Sequence, residues 1–340
     1  MEIRYSFSVT IVFSLLLASC NFMEPESKQS AALFSDFFKL KQTIPIQGKN
    51  MSSALLSGAF VRDSLLLLSD MQTRSIFKIN LFDNSCNKLG TNGVGPGEYT
   101  MPFHLYAKDA TVYFSDITNS RICKVDQNCD YISQIKAPHG ATRFIELKKQ
   151  IYFLTSPSST YYVVSQNGDK FFRTPRVYKN LKRSPALPGI IEINNSIYFM
   201  NPYEKKIFKL NTGSNTEETI KIQGLSHNTN IESLYNSQMD PIKLKKLLDE
   251  EERIFCFDAK EINGKYYFLL IPAPNDKNAR VIYIVSLHGK LKWVLDMGKL
   301  AYIPNPDVKK ITLFSTDEET GDITIFIYSS HLIPAEKMQL

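Results

Sequence analysis

Six short apolar runs, LLLLSD (65–70), VYFSD (112–116), IYFLT (151–155), IYFMN (197–201), YYFLL (266–270) and ITIFIY (323–328), recur along the chain, and their spacing decides the fold. Each has the aromatic and β-branched or aliphatic content of a buried strand. Aligned on the second member of the central apolar pair, the anchors are Leu68, Phe114, Phe153, Phe199, Phe268 and Phe326. By subtraction they lie 46, 39, 46, 69 and 58 residues apart. A period of about 40 to 50 residues marks a propeller of four-stranded blades, with excess residues placed in loops.

Working outward, each of the first five anchors is followed by an alternating strand, a turn rich in Asn, Asp and Gly, and another alternating strand. KIFKLNTGSNTEETIKI (206–222) and VIYIVSLHGKLKWVL (281–295) are examples. Gly168 and Gly289 stand where tight hairpins need positive φ. Ahead of each anchor lies one more strand: GAFV (58–61), FHLYA (103–107), ATRFIEL (141–147), GIIEI (189–193), RIFCFDA (253–259) and KKITLFS (309–315). The expectation is an all-β, six-bladed β-propeller with four-stranded blades. The sixth unit runs short, and the unused alternating strand FFKLKQTIPIQ (37–47) is expected to complete it, so that both termini close the last blade and no sheet edge stays open. The long fourth interval implies an insertion at 226–252. There Asp240-Pro241 starts an amphipathic helix carrying Ile242, Leu244, Leu247 and Leu248.

The N-terminus reads as an address. Phe7 to Ala18 is an apolar stretch of a secretory signal's length, too short to span a bilayer as a helix. It ends in Leu17-Ala18-Ser19-Cys20, which resembles the lipobox of bacterial lipoproteins; that resemblance implies cleavage after residue 19 and lipidation of Cys20. Residues 20–35 then form a lipidated tether, and 36–340 the propeller. Two or three acyl chains give the stable membrane anchoring that one chain does not. The expected location is the cell envelope, at the outer membrane or the periplasmic face.

This order of lipobox, tether, closing strand and six repeats resembles the TolB-like six-bladed propellers, widespread as lipoproteins of Gram-negative bacteria. Gly93-Val94-Gly95-Pro96-Gly97-Glu98-Tyr99 is similar to that family's GxGPGEF/Y linker, and residues 115–126 (SDITNSRICKVD) are similar to an NHL-type blade. The resemblance implies fold and location but no single activity, since such propellers serve as scaffolds, receptors, lactonases and lyases.

The chemistry-bearing residues are sparse. Net charge is +6, from 40 Lys+Arg against 34 Asp+Glu, and no basic run tracks a phosphate backbone, so nucleic acid is not an expected partner. The Gly93–Gly97 segment lacks the Lys-Ser/Thr of a phosphate loop and reads as a tight inter-blade turn. His104, His139, His227, His288 and His331 show no i, i+4 spacing, which excludes a helical zinc site. Asp70, Asp116 and Asn201 recur at matching positions and read as turn caps rather than calcium ligands. No GxSxG elbow is present. Cys86, Cys123, Cys129 and Cys256 admit three pairings and read as buried thiols.

No metal or cofactor is therefore expected. The function expected is that of a binding or scaffold protein, with membrane contact through the lipid and an unknown protein or carbohydrate ligand. Glu98, Tyr99, His104, His139, Arg143 and Arg183 are the candidates for its ligand face. The alternative is a metal-assisted hydrolase or lyase acting on a sugar or lactone at the central channel, and a third reading is an assembly factor for a larger envelope complex.

Overall fold

The computed structural model describes residues 32–330, apart from 47–50, 53–54, 110, 156–161, 169, 174–188, 202–205, 213–215, 226–253, 273–279 and 318. Cys20, Arg183 and the helical insertion of 226–252 lie outside the described residues. Among those described, no helix is long and apolar enough to cross a membrane.

Six antiparallel sheets follow one another along the chain. Blade 1 runs outward through Leu55–Arg62, Leu65–Asp70, Ser75–Asn80 and Cys86–Leu89, and blade 2 through Pro102–Lys108, Thr111–Asp116, Arg121–Val125 and Tyr131–Lys136. Blades 3 and 4 begin with Ala141–Leu147 and Ile190–Ile193. Blade 5 comprises Ile254–Ile262, Lys265–Pro272, Val281–Ser286 and Leu291–Asp296. The innermost strands of successive blades touch one another around the ring, and Gly58 N donates to Pro304 O at 2.8 Å where blade 1 meets blade 6. The hairpin glycines Gly168 and Gly289 have the expected positive φ, 91° and 85°.

The continuous apolar runs are explained by burial on both faces. Leu65–Asp70 is buried throughout. Leu66 and Leu68 pack with Ile303, Phe314 and Ile325 of blade 6, while Leu65 and Leu67 pack with Leu105, Val112 and Phe114 of blade 2. Such a second strand has no solvent face, so its pattern is a run rather than an alternation. The outermost strand Tyr131–Lys136, with one neighbour, alternates half-buried and exposed positions.

Blade 6 carries the closure. Phe38–Ile46 pairs antiparallel with Ile323–Ser330, from Phe38 opposite Ser330 to Ile46 opposite Ile323, with a register shift between Leu40 and Gln42. Pro45, which has no N–H to donate, is tolerated because this is the outermost strand. One detail differs from the sequence reading: Lys310–Thr316 is the second strand of blade 6 and Ile323–Ser330 the third, the innermost being Ala301–Ile303. Three residues, AYI, are too short to signal a strand. With Leu313 in place of Phe326 as the anchor, the last interval falls from 58 to 45 residues, in line with the others.

The residues just ahead of the closing strand are structured too. Ala32–Leu33 adds a parallel strand beside Leu295 and Asp296 of blade 5, and a one-turn helix, Phe34–Phe37, leads into the closing strand. Phe37 lies 4.9 Å, centroid to centroid, from Trp293. The N-terminal segment thus binds two blades.

If closure holds the ring, Ile44→Ala, at a position 0% exposed, lowers stability by about 2–5 kcal/mol in urea unfolding. Thr43→Ala, exposed on the same strand, changes it by less than about 0.5 kcal/mol.

Candidate functional site

The polar residue two positions after the anchor in the first four blades has a definite job. Asp70 accepts from the backbone N–H groups of Gln72 and Thr73 in the turn that follows, and from Ser52 N and Oγ in the loop leading into the same blade. Asp116 likewise accepts from Thr100 N and Met101 N, 3.2 and 3.0 Å away. Thr155 Oγ1 donates to His139 O at 2.7 Å. One side chain at the end of the second strand therefore pins the loop that delivers the innermost strand. Asn201 ends the matching strand of blade 4; its side chain is outside the described set.

In blade 2 this strap extends to Gly93–Tyr99. Arg121, 7% exposed, pairs with Asp116 at 3.2 Å and donates to the carbonyls of Val94 and Glu98 at 2.7 and 2.9 Å. Glu98 turns back on its own loop, accepting from Gly95 N at 2.7 Å, and a Cβ on Gly93 would overlap that carboxylate. Tyr99 is 3% exposed; its hydroxyl donates to Leu89 O and accepts from Ile76 N. Glu98 and Tyr99 are thus committed to the joint between blades 1 and 2 rather than presented to a ligand. His139 is exposed in the loop ahead of blade 3, with no described contact to the other candidates.

His104 and Arg143 do come together. They lie on the innermost strands of blades 2 and 3, and both line a cavity of about 140 Å³ with Tyr106, Glu192, Asp258 and Asn305. His104 Nε2 is 3.1 Å from Phe144 O, which can only accept, so Nε2 carries the proton and Nδ1 the lone pair. Arg143 Nη1 and Ser57 Oγ each approach Nδ1 at 3.4 Å. Burial, and then the Arg143 charge, hold the His104 pKa well below the usual histidine value. The imidazole is neutral.

The carboxylates at this cavity are already engaged. Asp258 pairs with Lys260 at 3.1 Å and accepts from Tyr302 Oη and, at 3.4 Å, Asn305 N. Lys260, 0% exposed, also donates to Asn305 O and Asp307 O. Glu192 pairs with Lys108 at 3.2 Å, a part-exposed pair worth little in stability. Cys256 is buried, and desolvation pushes its thiol up to about 12, so it stays protonated at neutral pH. Cys123 and Cys129 are likewise buried, outside any disulfide; Cys86 is buried too. Among the described residues no three His, Cys, Asp or Glu side chains gather as a metal-ligand set.

Glu192, Asp258, Lys260 and Asn305 were not among the sequence candidates. Asp258 had a signal, a carboxylate following the apolar run Ile254 to Phe257. Asn305 had none, because the strand before it went unread.

The blade 2 strap predicts that Arg121→Met, which strands a buried carboxylate, costs about 3–5 kcal/mol in denaturant unfolding. The double variant with Asp116→Asn should cost less than the sum of the singles. A depressed His104 pKa means the unfolded chain takes the proton first, near 6.5. The stability this group confers is full above that pH and is lost below it, by up to about 1.4 kcal/mol per pH unit. His104→Gln should therefore flatten the fall in stability between about pH 7 and 5; an unaltered slope contradicts the assignment.

Comparison with known proteins agrees with this architecture. Among solved structures, a candidate exported protein of Bacteroides fragilis NCTC 9343 aligns with TM-score 0.61 at 11% identity, over 89% of this chain and 98% of its own. A DUF4221 family member from Bacteroides vulgatus ATCC 8482 aligns at 0.58, with 8% identity over 87% and 98%. The calcium-binding protein regucalcin of Agrobacterium tumefaciens C58 aligns at 0.50, with 9% identity over 89% and 98%. At these identities the likeness concerns fold alone. No curated protein sequence matches the chain. The DUF5128 family model, described as a six-bladed β-propeller, matches residues 34–281, and the chain belongs to that family.

Proposed function

We propose that this protein is a lipid-anchored binding protein of the bacterial cell envelope, holding its ligand at the propeller axis and performing no chemistry on it. The carrying observation is the axial cavity. It is concave and built from the innermost strands, with a few polar groups among apolar ones, as ligand sites are. Its carboxylates are tied to lysines and its histidine to a backbone carbonyl, not arranged as nucleophile and base. Ser57 approaches His104, yet this residue is 1% exposed, its Oγ accepts from Leu105 N at 3.1 Å, and it does not line the cavity. The hydrolase or lyase reading finds no supporting donor set among the described residues.

The envelope part of the proposal rests on the signal-like stretch, on Leu17-Ala18-Ser19-Cys20 and on the TolB-like GVGPGEY segment. One structural neighbour is itself described as a candidate exported protein. In the native host, the protein should sediment with membranes and Cys20→Ser should move it to the soluble fraction. Unaltered sedimentation of that variant rejects the anchor.

A further inference from the structure

The geometry points to the axial cavity as a binding site for a small organic monoanion, a carboxylate that also carries a hydroxyl donor. This rests on the binding reading above and names its ligand class. The starting point is Arg143, 4% exposed, whose Nε has no hydrogen-bond partner. Its one described contact of that kind is the 3.4 Å approach of Nη1 to the neutral His104.

Arg143, Glu192 and Asp258 line the cavity, and Lys108 and Lys260 stand behind its two carboxylates, so the charges at the site do not balance internally. Asp258 attracts Arg143 but is already paired with Lys260, and Glu192 with Lys108, so two carboxylates serve three cations. His104 is neutral and the nearby Cys256 is a thiol. Among the described groups this leaves one positive charge, on Arg143. An uncompensated buried guanidinium is expensive, and such groups are normally paired. One anionic group, held by the planar guanidinium, restores the balance.

The second requirement comes from Asn305, 3% exposed in the same cavity. Its Nδ2 faces Ile303 O at 3.5 Å and Thr312 Oγ1 at 3.4 Å. Because Ile303 O only accepts, the amide orientation is set, and Oδ1 is left buried with no donor. The cavity thus lacks an acceptor for Arg143 and a donor for Asn305. A 2-hydroxy carboxylate supplies both from adjacent atoms. Size limits the choice: about 140 Å³ compares with the roughly 150 Å³ cavity that accepts benzene, so the occupant has about six to eight non-hydrogen atoms. A disaccharide or nucleotide is too large.

The test is isothermal titration of the full chain with glycerate, lactate and 2-hydroxybutyrate, against acetate, which lacks the donor, and glycerol, which lacks the charge. At least one of the first three should bind saturably, with acetate and glycerol weaker by about tenfold or more. Arg143→Gln should abolish that binding. Asn305→Asp, which places a carboxylate in the cavity, should do so too, and Arg143→Lys should retain part of it; thermal unfolding of each variant establishes that it is folded. Saturable binding of glycerol equal to that of the carboxylates, unaffected by Arg143→Gln, overturns the anion assignment while leaving the binding reading standing. No saturable binding of any of the five overturns the anion assignment.

Discussion

The constraint on which the molecule depends is that no blade can bury its own sheet. The second strand of each blade is apolar on both faces, and each face needs the neighbouring blade. Leu66 and Leu68 look one way around the ring, Leu65 and Leu67 the other. Six sheets related in this way are satisfied only if the last meets the first. A linear chain cannot achieve that by local pairing; it needs a non-local strand, and Phe38–Ile46 on Ile323–Ser330 provides it. The N-terminal clamp goes further, because Ala32–Leu33 and Phe37 also engage blade 5.

Closure creates the site. In blades 1, 2 and 3 the loop that delivers the innermost strand is held by a polar side chain from the same blade, Asp70, Asp116 and Thr155. The innermost strands therefore arrive at the axis at set heights, and His104, Arg143, Glu192 and Asp258, from four different blades, face one small volume. None of these residues is near another in sequence. Hydrophobic packing between blades thus fixes the electrostatics of the cavity.

This division explains what could be read in advance. The repeat, blade count and closing strand follow from periodicity, which is a local property of the chain. The same logic identified the capping role of Asp70 and Asp116, because a residue repeated blade after blade performs a repeated task. The site is the opposite case: it is made once, from unlike residues, by the ring's geometry. His104 and Arg143 were legible as polar residues near innermost strands, whereas Glu98 and Tyr99, drawn in by their motif, serve the joint between blades 1 and 2. Ala301–Ile303 was too short to register, and Asn305 was lost with it.

Hydrogen exchange on the native protein tests the closed ring most directly. If the N-terminal strand locks the ring, amides of Phe38–Ile46 that bond to Ile323–Ser330 exchange only with global unfolding, as slowly as those of Leu65–Asp70. If the outer strand frays independently, its amides exchange much faster than that core, and the claim that the two chain ends hold the propeller together is contradicted.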